Sequence, residues 1–160
     1  MDLSLVPINI PEGCNVIIGQ THFIKTAEDL YEILVGTVPD AKFGVAFTEA
    51  SGPCLIRTEG NDEALTKACV TALQAIGAGH VFCIYLKNAF PINVLNQIKS
   101  CPEVCRIFCA TANPLEVVVA STKQGRGIMG VIDGEPPKGV ETTADREQRK
   151  GFLRKIGYKL

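Results

Sequence analysis

The chain has 160 residues, 46% of them apolar, with a formal charge of -1 and seven cysteines. That is enough apolar chain for one domain with a real core, and too much for a disordered polymer. The near-zero charge carries no electrostatic footprint for nucleic acid, no apolar run approaches the ~20 residues of a membrane helix, and the N-terminus MDLSLVPINIPEG lacks a basic leader segment. The expectation is a cytoplasmic protein whose partner is neutral or a small anion.

Residues 3–10 read as a short apolar segment broken at Pro7 and Pro11. Residues 14–19 read as a buried strand. Thr26 offers a helix N-cap with Asp29 three residues on, and Ala27, Leu30, Tyr31 and Leu34 follow at helical spacing until Gly36. Residues 43–48 and 54–57 are strands joined by Ser51-Gly52-Pro53, which predicts a hairpin. Asn61 is the expected cap of the longest helix, with Asp62 and Glu63 in its first turn. Leu65, Ala68, Cys69, Ala72, Leu73 and Ile76 form its apolar stripe, and Gly77 and Gly79 stop it.

Residues 81–86 are apolar at every position, the pattern of a central strand covered on both faces. Pro91 opens a helix with Ile92, Leu95 and Ile98 facing in. Strands follow over 104–110 and 115–120, then the polar loop STKQGRG and a last strand to Ile132. A final helix spans about 145–156, with acids first and bases last. Strands and helices interleave and no linker intervenes. The expected fold class is α/β: one domain over residues 1–160, a mixed sheet with helices packed on both faces, an αβα sandwich.

Gly125 to Gly130, GRGIMG, matches G-x-G-x-x-G, but a strand follows it where a dinucleotide-binding fold needs a helix. One reading is a hairpin loop needing positive φ. The other is a glycine loop over phosphates, with Arg126 supplying an anion contact beside Gly125 and Gly127. Walker A, G-x-S-x-G, H-E-x-x-H and EF-hand patterns are absent. The series Cys101, Cys105, Cys109 has a four-residue step, but no histidine stands at ligand spacing and Pro102 argues for a strand. No metal site is expected from it, and the cysteines read as reduced, buried small hydrophobes.

Only two histidines occur, His22 and His80, and both stand at strand ends. His22 lies with Lys25 just before a predicted helix start, where anions bind. If the strand after His80 runs antiparallel to the one before His22, both imidazoles share one rim of the sheet. Glu49 closes an apolar strand and suits a ribose diol. Asn61, Asp62 and Asn113 serve equally as caps and turn residues or as hydrogen-bonding groups for a neutral ligand. Glu49, Asp62 and Asp133 are candidate ligands for a Mg²⁺ ion that accompanies a phosphate group; no dedicated carboxylate cage is visible.

Taken together, GQTHFIKTAEDLYE, FGVAFTEASG, LIRTEGND, AGHVFCIYL, PINVLNQIKSCPEV, CATANPLEVVVA and GRGIMGVIDG resemble the adenosine-specific kinase family in order and spacing. The resemblance implies an αβα-type domain that binds adenosine and AMP, a homotrimer, and phosphoryl transfer involving a histidine. It leaves open which of His22 and His80 acts, and whether as base or phosphoryl carrier. Lys25, Glu49, Asn61, Asp62, Asn113, Gly125, Arg126 and Gly127 are the candidate substrate-binding residues. The rival readings are an adenosine- or AMP-binding sensor or storage module without turnover, and a structural, thiol-bearing protein.

Overall fold

The computed structural model describes residues 1–160. In chain order the elements are β1 (Asp2–Ile8), β2 (Cys14–Thr21), α1 (Thr26–Thr37), β3 (Lys42–Thr48), β4 (Ile56–Gly60), α2 (Glu63–Ile76), β5 (Val81–Lys87), α3 (Pro91–Lys99), β6 (Val104–Thr111), β7 (Leu115–Ser121), β8 (Arg126–Asp133) and α4 (Thr143–Lys155).

The strands form two sheets, a five-stranded one in the order β4-β3-β5-β2-β6 and a three-stranded one in the order β1-β7-β8. Both are antiparallel at every pairing. The α/β sandwich expected from sequence is present, with its strands divided between these sheets. β5, apolar at six successive positions, is the central strand and is buried from Val81 to Leu86. Its alternate side chains feed two cores. Phe82, Ile84 and Leu86 pack with Ile17, Phe43 and Val45 under Leu30 and Leu34 of α1 and Val94 and Ile98 of α3. Cys83 and Tyr85 face the other way, with Val16 and Ile18, against Leu65, Cys69, Leu73 and Ile76 of α2 and against Val117 and Val119 of the small sheet. The layers are thus α1/α3, the large sheet, and α2 beside the small sheet.

Local details depart from the sequence reading. β1 runs through Pro7 without a break. Thr26 is not the cap of α1: that position falls to Lys25, which makes no side-chain cap bond. The Thr26 hydroxyl is instead buried, within hydrogen-bond distance of both the Phe23 carbonyl and the Thr21 hydroxyl. α1 also continues past Gly36 to Thr37. Asp62, not Asn61, caps α2, its carboxylate accepting the Leu65 N–H at 3.0 Å. The Asn61 amide straps the start of β3, accepting from Phe43 N and donating to Ala41 O, both at 2.8 Å. A side-chain amide offers donor and acceptor together, which this double contact needs and a helix cap does not. Gly77 ends α2 in the left-handed conformation, φ 64°, with its N–H on Leu73 O at 2.8 Å.

Candidate active site

β5 runs antiparallel to both β2 and β3, so its first residue lies beside their last ones. His80 precedes β5, His22 follows β2 and Glu49 follows β3. The three therefore meet at one end of the large sheet. Two backbone bonds fasten His80 between its neighbours: its N–H donates to Thr48 O at 2.8 Å, and its C=O accepts from Thr21 N at 3.0 Å. Its backbone is left-handed, φ 57°. A residue with a Cβ adopts this at a cost of about 1–2 kcal/mol, so the fold over-determines the position.

Buried Thr48 supplies much of that constraint. Its hydroxyl accepts from Val81 N at 2.9 Å and donates to Ala78 O at 2.8 Å, clamping both ends of the turn that carries His80. Gly79 in the same turn lies against the 49–50 segment: a Cβ there would stand 2.8 Å from Ala50 Cβ and 3.3 Å from Glu49 O. The His80 ring stacks on Phe47, centroids 6.1 Å apart, and the His22 ring on Phe23 at 6.3 Å.

His22, Phe23, Ile24, Phe47, Glu49 and His80 line a cleft of about 300 Å³ whose far wall is the 50–53 turn. Glu49 and Ala50 also line an adjoining cleft of about 590 Å³, with Gly125, Arg126 and Gly127 opposite. The Glu49 carboxylate accepts from Leu55 N at 2.8 Å on one oxygen and from Arg57 at 2.9 and 3.1 Å on the other. The Leu55 N–H and then Arg57 hold this carboxyl below its ordinary range. It is therefore an anion with lone pairs left to accept ligand hydroxyls.

Gly125 closes the turn of the β7–β8 hairpin, its C=O accepting from Thr122 N at 2.8 Å, while Gly127 and Gly130 lie in β8 itself. None of Gly125, Gly127 and Gly130 has positive φ, contrary to the reason expected for them. A Cβ at any of them would meet nothing within 4 Å. The chain's own packing does not require these glycines, and the surface above them is bare of side chains. Arg126 lies over Gly77 and donates to Ala75 O at 3.2 Å, at the C-terminal end of α2.

Other residues singled out from sequence stand elsewhere. Lys25 pairs with Asp29 and lies 3.5 Å from Glu103 Oε1. Asn61 and Asp62 hold the β3–α2 corner. Asn113 donates to Asp133, which also accepts from the Thr111 hydroxyl, at the β6–β7 and β8 ends. Of the three candidate Mg²⁺ ligands, only Glu49 lines the two clefts. Sequence reasoning read Ser51-Gly52-Pro53 only as a hairpin turn and missed Phe47 and Thr48, whose sole signal was proximity to Glu49 in FTEASGP.

The largest groove, about 800 Å³, opens near the other end of β2 and is lined mainly by Phe90, Ile92 and Leu95 of the α3 region and Phe152 and Ile156 of the α4 region. It holds no histidine or carboxylate.

A rim with two imidazoles and a carboxylate, joined to an arginine- and glycine-lined cleft, is a candidate small-molecule site. The model of the adenosine specific kinase family matches residues 6–159, and the chain belongs to that family. The chain is similar to the solved structure of the PH1918 protein from Pyrococcus horikoshii OT3, at 46% identity and a TM-score of 0.95, over 99% of this chain and 98% of that one. No curated protein matches.

Proposed function

We propose that the protein phosphorylates adenosine to AMP, with the nucleoside in the histidine cleft and the donor phosphates over the Gly125–Gly127 loop. The observation that carries this reading is the convergence of His22, His80 and Glu49 on a cleft that adjoins Arg126. Phe23, Ile24 and Phe47 offer apolar and aromatic surface for the base. Glu49 accepts the ribose hydroxyls.

His80 is the general base in this reading, because it is half-buried and backbone-locked whereas His22 is exposed. A ring nitrogen takes the 5′-hydroxyl proton as that oxygen bonds to the donor's terminal phosphorus. The bond from phosphorus to the bridging oxygen breaks, the nucleoside diphosphate leaves with its electron pair, and the imidazolium returns its proton to solvent. His22 and Arg126 face the phosphoryl oxygens, where charge spreads in the transition state. Mg²⁺ carried by a triphosphate donor would neutralise part of that charge. One carboxylate, already engaged by Leu55 and Arg57, fits an ion held mainly by phosphates and water rather than a resident metal.

Self-association belongs to the same reading. β1 and β8 leave Leu3, Leu5, Met129 and Ile132 exposed, and α4 buries none of its residues. Sedimentation of the purified chain as a trimer supports it; a monomer overturns it. No helix is long and apolar enough to cross a membrane.

The test of function is chromatographic: AMP formed from adenosine and Mg-ATP, measured against donor consumed. His80→Ala should abolish transfer and leave adenosine bound; His22→Ala should weaken transfer. Wild-type turnover in the double variant would sink the assignment of either histidine. Tight adenosine binding with no AMP from any triphosphate would make the protein a binding module.

A further inference from the structure

Behind the His22 rim lies a second cluster that the proposed reaction does not use. Asp29 of α1, Cys101 in the α3–β6 turn and Glu103 before β6 place one carboxylate oxygen, the thiol sulfur and a second carboxylate oxygen within 4.8 Å of one another. Cys101 Sγ donates to Glu103 Oε2 at 2.9 Å. Glu103 is 3% exposed, and its other oxygen, Oε1, is buried with no hydrogen-bond donor. A buried carboxylate oxygen that makes no hydrogen bond is costly, and an ion pair at 3.5 Å offsets that cost only in part, so the oxygen is open to a closer cation. The nearest positive group is Lys25 Nζ at 3.5 Å, on a side chain 58% exposed and held chiefly by Asp29.

We propose that Asp29, Cys101 and Glu103 bind Zn²⁺, with water in the fourth position. A thiolate with two carboxylates suits this borderline-soft ion better than Mg²⁺ or Ca²⁺, which take oxygen alone. Tetrahedral bonds of about 2.0–2.3 Å put ligand atoms roughly 3.2–3.8 Å apart, so the cluster closes on the ion with movements of about an ångström. The thiol proton leaves as the ion enters, and Lys25 swings to solvent. Entry is open, since Asp29 and Cys101 both line a groove of about 540 Å³ between α1 and the end of α3.

The ion would tie α1 to the start of β6 at the point that fixes His22. The Glu103 carbonyl accepts from His22 N at 3.2 Å and from the Thr21 hydroxyl at 2.9 Å. The site is independent of the proposed reaction and stands or falls by metal binding alone.

The experiment is titration of the full, reduced, chelator-treated chain with Co²⁺, followed by Zn²⁺. A thiolate-to-cobalt charge-transfer band should saturate at a single equivalent and vanish when Zn²⁺ is added. Cys101→Ser should remove the band. Asp29→Asn, at a half-buried helix position that tolerates the change, should weaken Co²⁺ affinity at least about tenfold, since even outer-shell losses cost that much. Lys25→Met should tighten it. Absence of the band in folded wild type, or a band undiminished in both Cys101→Ser and Asp29→Asn, overturns the site; the second result would place the metal on other cysteines.

Discussion

Replacing Thr48 with valine keeps the shape of the side chain and removes only its hydroxyl. In the structure that hydroxyl serves two buried backbone groups, Val81 N–H and Ala78 C=O. Each buried group left without this partner costs about 1–3 kcal/mol, and the added methyl returns about 0.8 kcal/mol at most. The net loss is about 1–5 kcal/mol. For a chain of this size each kcal/mol lowers Tm by about 2–4 °C, so a fall of roughly 2–20 °C is expected. Thr48→Ser keeps both hydrogen bonds and loses one methyl, about 1 kcal/mol. The two variants should therefore separate in urea unfolding. They should also separate in function, because the turn held by this hydroxyl carries His80. Calorimetric titration should show weakened adenosine binding for valine and near-normal binding for serine. A valine variant within about 0.5 kcal/mol of wild type, or a serine variant as damaged as valine, would refute the clamp.

Further outcomes follow from other positions. His80→Gly should be more stable in urea than His80→Ala by about 1 kcal/mol, because only glycine accepts φ 57° without strain; equal stability would argue against the left-handed backbone. Gly44→Ala should cost about 3 kcal/mol or more, since the new Cβ would lie 2.3 Å from Thr66 N and 2.4 Å from Leu65 C on the α2 backbone, which cannot yield as a side chain does; a near-neutral result contradicts the close approach of β3 and α2. Asp145 is held below its ordinary value by the Thr142 N–H and then its hydroxyl. A depressed folded pKa means the capping contribution is complete above the unfolded value of about 3.9 and is lost as pH falls through the folded one. Protection factors in α4, taken against the intrinsic exchange rate at each pH, should accordingly fall in acid before those of the β-sheet core, and protection unchanged down to about pH 2 would discount the cap. Cys54 and Cys105 are exposed and should react with a thiol reagent in the native protein. Cys14, Cys69, Cys83 and Cys109 should react only after unfolding, and burial pushes the Cys109 thiol up to about 11; rapid reaction of these four in the native protein would contradict the packing.

The sequence alone determined what depends on local period and composition. Six successive apolar residues from Val81 made β5 a central strand, because only a strand covered on both faces has no polar side. The stripe from Leu65 to Ile76 ended at Gly77 because the left-handed cap favours glycine. Histidines at strand ends were legible too, and an antiparallel β5 is the arrangement that brings them to one rim. Choices among equivalent polar groups were not legible. Asn61 and Asp62 can both cap a helix, and only the position of the β3 backbone decided that Asn61 straps the strand while Asp62 caps. Thr26 reads as a cap until Thr21 and Phe23 are folded over its hydroxyl. The division into two sheets required knowing that β1 pairs with β7 across most of the chain, a contact with no local signature. The meeting of Asp29 with Cys101 and Glu103 is of the same kind. Side chains far apart along the chain become neighbours only when the helix carrying one packs beside the helix preceding the others, and that is a property of the tertiary structure.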